Sequence, residues 1–204
     1  MLANQMMKKG IWTLALSLLA AGAVYGDDIS LGIPGYGGNG CPAGTVDAVL
    51  SPDAKTLSVM FDQFVAKAGR SEGKSMDRKS CNLAIPVHVP QGFSVSVVQL
   101  DYRGFVSVPY GGQARFNVEY FFAGSRGPIL SKAFGGGSNE DYLVTDELNL
   151  FANVWSRCGA DTNLRVNSSM IAISNRQGDD VLGSVDSTDI TAGLVYHLAW
   201  RRCN

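Results

Sequence analysis

Ala114-Arg115-Phe116-Asn117-Val118-Glu119-Tyr120-Phe121-Phe122 is the stretch on which the fold turns. Apolar residues occupy 114, 116, 118, 120 and 122, with Arg115, Asn117 and Glu119 between them. Successive side chains of a strand leave opposite faces of the sheet, so a period of two describes a strand buried on one face and wet on the other. Antiparallel sheets use strands of this kind. Ile190, Ala192, Leu194, Tyr196, Leu198 and Trp200 repeat the pattern, and His197 and Arg201 fall on the opposite face.

Working outward, Cys81, Leu83, Ile85, Val87 and Val89 alternate with Asn82, Ala84, Pro86 and His88, which turns the cysteine inward and the histidine outward. Phe93, Val95 and Val97 alternate next, but the phase changes at Val98, Leu100 and Tyr102. A change of face inside a strand predicts a β-bulge or burial on both sides. Residues 45–50, 129–134, 148–155 and 164–173 read as further strands. Residues 56–65 fit two patterns. Leu57, Val59 and Phe61 alternate as in a strand, while Leu57, Phe61 and Phe64 would line one face of a helix; we read a strand. Between the strands lie a glycine-rich loop over 27–44, an exposed basic loop over 67–79 and a flexible turn at 135–138. The pattern predicts an all-β chain, a single-domain antiparallel β-sandwich of about eight to ten strands stapled by two disulfides.

The N-terminus has a different logic. Lys8 and Lys9 precede an uncharged run whose densest apolar part, residues 11–23, falls short of the about 20 residues a membrane-spanning helix needs. Charge, then an apolar run, then small residues is the export pattern, so residues 1–26 are expected to be a cleaved signal, cut after Gly26. No cysteine follows the apolar run, which argues against a lipid anchor. Removal of 1–26 leaves 15 basic against 18 acidic residues in 27–204, a net charge of −3, which argues against nucleic acid as partner. No later segment reads as a membrane span. The expected location is outside the cell, or the periplasm in a Gram-negative bacterium.

Cys41, Cys81, Cys158 and Cys203 all lie in the exported part, where thiols can oxidise. Three pairings exist. We favour Cys41 with Cys81 and Cys158 with Cys203, because each then ties elements within one half of the chain. Either link closes a loop of about 40 residues, worth about 4 kcal/mol of chain entropy. The wide spacings lack the close pairs of a zinc site.

At this point several segments take on a joint meaning: Gly40-Cys41-Pro42, Phe61-Asp62-Gln63-Phe64, Arg78-Lys79-Ser80-Cys81-Asn82, Trp155-Ser156-Arg157-Cys158-Gly159, Leu164-Arg165-Val166-Asn167-Ser168-Ser169 and Trp200-Arg201-Arg202-Cys203. In this order the chain resembles a family of small secreted proteins of fungi and bacteria classed as a domain of unknown function. The resemblance covers nearly all of residues 27–204 and implies secretion and one domain. It brings no activity and no catalytic residues.

Chemistry is sparse. The two histidines, His88 and His197, fall opposite the apolar stripes, no Gly-x-Ser-x-Gly elbow is present, and we assign no catalytic residue, no metal ligand and no cofactor. If their strands were neighbours in one sheet, the two histidines could hold a metal. Asp101, Glu119, Asp141, Asp146 and Glu147 are the carboxylates from which a glycosidase pair would have to come. Glu140-Asp141, Asp179-Asp180, Asp186 and Asp189 offer oxygen ligands suited to calcium, or ordinary turn chemistry. Asn167-Ser168-Ser169 fits a glycosylation acceptor. Tyr102, Arg103, Phe105 and Tyr110 surround a glycine- and proline-bearing stretch and could bind sugars or peptides, although large aromatics also go to the core. The expected function is non-catalytic binding of a glycan or protein at a cell surface. The alternatives are a secreted hydrolase of polysaccharide or peptide, using a carboxylate pair or a metal, and a structural matrix component or effector.

Overall fold

Thirteen strands and no helix form among residues 29–124, 126–147, 155–185 and 193–203, the parts that the computed structural model describes. In chain order they are β1 (Ser30–Leu31), β2 (Gly35–Gly37), β3 (Val46–Leu50), β4 (Thr56–Phe61), β5 (Val65–Ala68), β6 (Met76–His88), β7 (Phe93–Val108), β8 (Gln113–Phe122), β9 (Ile129–Phe134), β10 (Ser138–Glu147), β11 (Thr162–Ile173), β12 (Val181–Ser184) and β13 (Leu194–Arg202). The first sheet has the order β1-β6-β11-β8-β9, with β2 also on β6. The second runs β3-β4-β13-β7-β12-β5. In it β13 and β12 take successive stretches of one edge of β7, and β10 takes the other.

Alternation explains the layering. Phe116, Val118 and Tyr120 of β8 and Leu83 and Ile85 of β6 face Leu57 and Val59 of β4, Leu100 and Tyr102 of β7 and Tyr196 of β13 in one buried cluster. Ring pairs join the layers: Tyr102 lies 4.8 Å from Phe116, and Tyr120 lies 6.3 Å from Tyr196. Each large apolar side chain buried this way is worth about 1.5–3 kcal/mol. The phase change in β7 is a bulge: His197 pairs with Gln99 but Leu198 pairs with Val97, so Val98 is the extra residue. Both favoured disulfides are formed, Cys41–Cys81 and Cys158–Cys203, with Cα separations of 5.4 and 6.0 Å.

Four stretches differ from the reading above. Within the glycine-rich loop, β1 and β2 lie along β6. Gly38 allows this approach, because its φ is +146° and a Cβ there would stand 2.1 Å from the Ser80 carbonyl oxygen. The basic stretch 67–79 is mostly hairpin, since β5 ends at Ala68 and β6 begins at Met76. Its charges stay at the surface, and Lys74, between the two strands, pairs with Asp77 of β6 at 3.2 Å. β10 and β12 were not read as strands, because the polar run Asn139-Glu140-Asp141 and the Asp179-Asp180 turn mask their short apolar pattern. The expected strand at 148–155 lies outside the described residues except for Trp155, which is in no strand. The leader at 1–26, and Asp186, Asp189, Ile190 and Ala192, also lie outside them.

Candidate functional site

The four residues expected to bind ligand are not brought together. Tyr102 is corrected to a core residue: β7 turns it inward, 3 % exposed against Phe116, because neighbours on a strand face opposite ways. Burial, with the charge of Asp146 second, pushes its phenol up to about 12. Arg103 and Phe105 lie on the outer face of the second sheet, where Arg103 pairs with Leu143 of β10 and its buried Nε has no hydrogen-bond partner. Tyr110 stands 84 % exposed in the turn beyond β7, beside Gly136 and Gly137.

The histidines sit in different sheets, His88 on β6 and His197 on β13, so they are not the neighbours a shared metal would require. Each has a carboxylate. His197 Nε2 is 2.7 Å from Asp101 Oδ2, and Gln99 Nε2 donates to both Asp101 oxygens at 3.2 Å. Burial raises the Asp101 carboxyl, but hydrogen bonds from Thr145, His197 and Gln99 outweigh it and hold the group below its ordinary value. His88 Nδ1 is 2.7 Å from Asp161 Oδ1.

Three of the five glycosidase candidates share one face of the second sheet and two do not. Asp141 and Glu147 share the outer face of the second sheet with Asp101, Asp146 alternates to the inner side, and Glu119 is on the first sheet accepting from Asn167 at 3.2 Å. Asp179 is tied to Asn175 within its own turn, while Asp180 accepts from the Ser71 amide between β5 and β6. Among the described residues no three of His, Cys, Asp and Glu gather as metal ligands do. Asn167-Ser168-Ser169 is in the middle of β11, between β6 and β8.

The geometry converges elsewhere, at the end of the sandwich where β7 begins. The segment from Trp155 to Asp161 is fastened there. Ser156 N donates to the Val95 carbonyl at 2.9 Å, Val95 N to Ser156 Oγ at 3.0 Å, and Gly159 N to the Phe93 carbonyl at 2.8 Å. Cys158 is then bonded to Cys203 at the end of β13, and Cys203 N donates to the Gly92 carbonyl at 2.8 Å. With the β8 end at Phe122 and the turn at Ala123-Gly124, this segment walls a groove of about 500 Å³, a volume usual for small-ligand sites. Trp155 lines it. The Arg201 guanidinium lies 4.1 Å from the Trp155 ring centroid and so occupies one face of the ring. Arg157 and Asp161 supply a polar rim. A flat ring surface ringed by hydrogen-bonding groups suits a ligand with an apolar face and many hydroxyls.

Sequence reasoning missed this groove because Trp155 reads there as the end of a strand. The available signal was an aromatic three residues before a cysteine, on a segment a disulfide could pin.

Comparison with known proteins supplies the compartment. An uncharacterized secreted protein of Arthroderma benhamiae (strain ATCC MYA-4681 / CBS 112371) is 36 % identical over 170 residues, covering 82 % of this chain and 69 % of that protein. With two disulfides and no free cysteine among the described residues, this chain is a secreted protein. Among the described residues no helix is long and apolar enough to cross a membrane. The solved structure of TmCBM61 in complex with beta-1,4-galactotriose matches at 11 % identity and a TM-score of 0.29, covering 83 % of this chain and 88 % of that one, a likeness too slight to speak to fold or function. The family described as "Domain of unknown function (DUF4360)" matches residues 27–203, and the chain belongs to it.

Proposed function

We propose that this secreted protein is a non-catalytic binding protein that takes a glycan in the end groove, with Trp155 as the stacking platform. The observation that carries the reading is the pinned segment. A disulfide and three hydrogen bonds to the start of β7 hold Trp155 and its rim before any ligand arrives, and preorganisation of this kind lowers the cost of binding. Asp161 is the one carboxylate among the described residues that line this groove, whereas glycoside hydrolysis needs two facing each other across the ligand, which favours binding over turnover.

Binding of the secreted protein to immobilised fungal and bacterial cell-wall glycans tests the proposal. Trp155→Ala is expected to weaken a retained glycan about tenfold or more, since ring platforms dominate such sites and tenfold is about 1.4 kcal/mol. Retention of no glycan, or unchanged affinity in the variant, would sink it.

The same reading takes the mature chain to begin at Asp27, which is also where the family match begins. The intact mass of the secreted product is expected to correspond to residues 27–204 with all four cysteines oxidised. A mass that includes the leader refutes this start.

A further inference from the structure

A second groove of about 440 Å³ adjoins the first. It is bounded by Leu31 and Gly32 next to β1, Pro86 and His88 of β6, and Asn163 of β11. The two grooves meet at Asp161 and Thr162, which line both. Asp161 is fixed on this divide by two bonds: His88 Nδ1 at 2.7 Å and the Val89 amide at 3.2 Å. Between them the two grooves touch β1, β6, β11 and β8, adjacent strands of the first sheet. Three inter-strand spacings of about 4.8 Å give about 14 Å from the first to the last, longer than one sugar ring.

We infer that the two grooves are one cleft and that the ligand is an extended glycan chain lying across the His88–Asp161 divide, with one sugar on Trp155 and later sugars beside Pro86 and Asn163. This rests on the glycan reading of the Trp155 groove and adds the chain length and direction of the ligand. The chemistry on the page fits a chain. The divide carries the Asp161 carboxylate, 71 % exposed and able to accept from ring hydroxyls, and the second groove adds the Asn163 amide and the apolar Pro86 ring. Asn163 is exposed, so its side chain can be shortened with little effect on folding.

Calorimetric titration of the full secreted protein with ladders of one to six sugars, from cellulose, chitin, mannan and galactan, reads the inference directly. Affinity for the preferred ladder is expected to rise about tenfold or more between one sugar and about four, then level. Asn163→Ala is expected to weaken the longer members several-fold and leave the monosaccharide unchanged, while Trp155→Ala weakens both. Affinity flat from the first sugar onward, or Asn163→Ala without effect at any length, overturns the extended cleft and leaves the Trp155 reading standing. Absence of binding at every length removes both.

Discussion

The two disulfides close loops of nearly equal size, with sequence separations of 40 and 45, yet they sit in opposite surroundings. Cys41 and Cys81 are 1 % and 0 % exposed and belong to the core cluster, tying the glycine-rich N-terminal segment to β6. Cys158 is exposed and Cys203 half-buried, and they tie the wall of the groove to the end of β13. Loop-closure entropy cannot tell them apart: each is worth about 4 kcal/mol on that ground. The difference lies in what each link holds still. One is packed into the sandwich, and the other fixes a surface whose shape matters only to a ligand.

Replacement of each pair by serine breaks or sharpens this contrast, and it carries the largest effect we expect. Cys41→Ser with Cys81→Ser is expected to cost about 5 kcal/mol or more, because the lost cross-link is joined by two hydroxyls buried among apolar neighbours. Cys158→Ser with Cys203→Ser is expected to cost about 2–4 kcal/mol and to abolish most affinity for the groove's ligand. Urea unfolding with glycan binding on the same samples measures both. Equal losses in stability, or undiminished binding in the second variant, would erase the distinction between a staple of the core and a staple of the site.

How far each region was legible follows the same division. β8, β13 and the Val98 bulge could be read because burial on one face imposes a period of two that nothing else in the chain imitates. β10 could not, since its inward side offers only Tyr142 and Val144 amid acidic neighbours. Selecting Tyr102 with Arg103 as joint ligand contacts set nearness in sequence above alternation, which sends adjacent strand residues to opposite faces. The groove was hidden for a different reason. Phe122, Trp155 and Asp161 meet only once two sheet ends and a disulfide have placed them, and no local pattern in the sequence encodes that meeting.

The two histidine–carboxylate pairs extend the contrast to electrostatics, with the smallest effects. Both are 2.7 Å long, but the Asp101 side chain is 17 % exposed and held by three donors, whereas that of Asp161 is 71 % exposed. A carboxyl held below its unfolded value contributes stability above that value and loses it as pH falls through the folded one. Asp101→Asn is therefore expected to cost about 1 kcal/mol near neutral pH, after allowance for solvent screening, and to flatten the loss of stability on acidification. Asp161→Asn is expected to change stability by no more than about 0.5 kcal/mol, as exposed pairs do. Its consequence should appear in ligand affinity, where the divide between the grooves is altered. Urea midpoints followed from about pH 7 down to about pH 3 separate the two. If Asp161→Asn proved the more destabilising, burial would not be what decides the worth of these pairs, and the groove end would have to be counted among the supports of the fold.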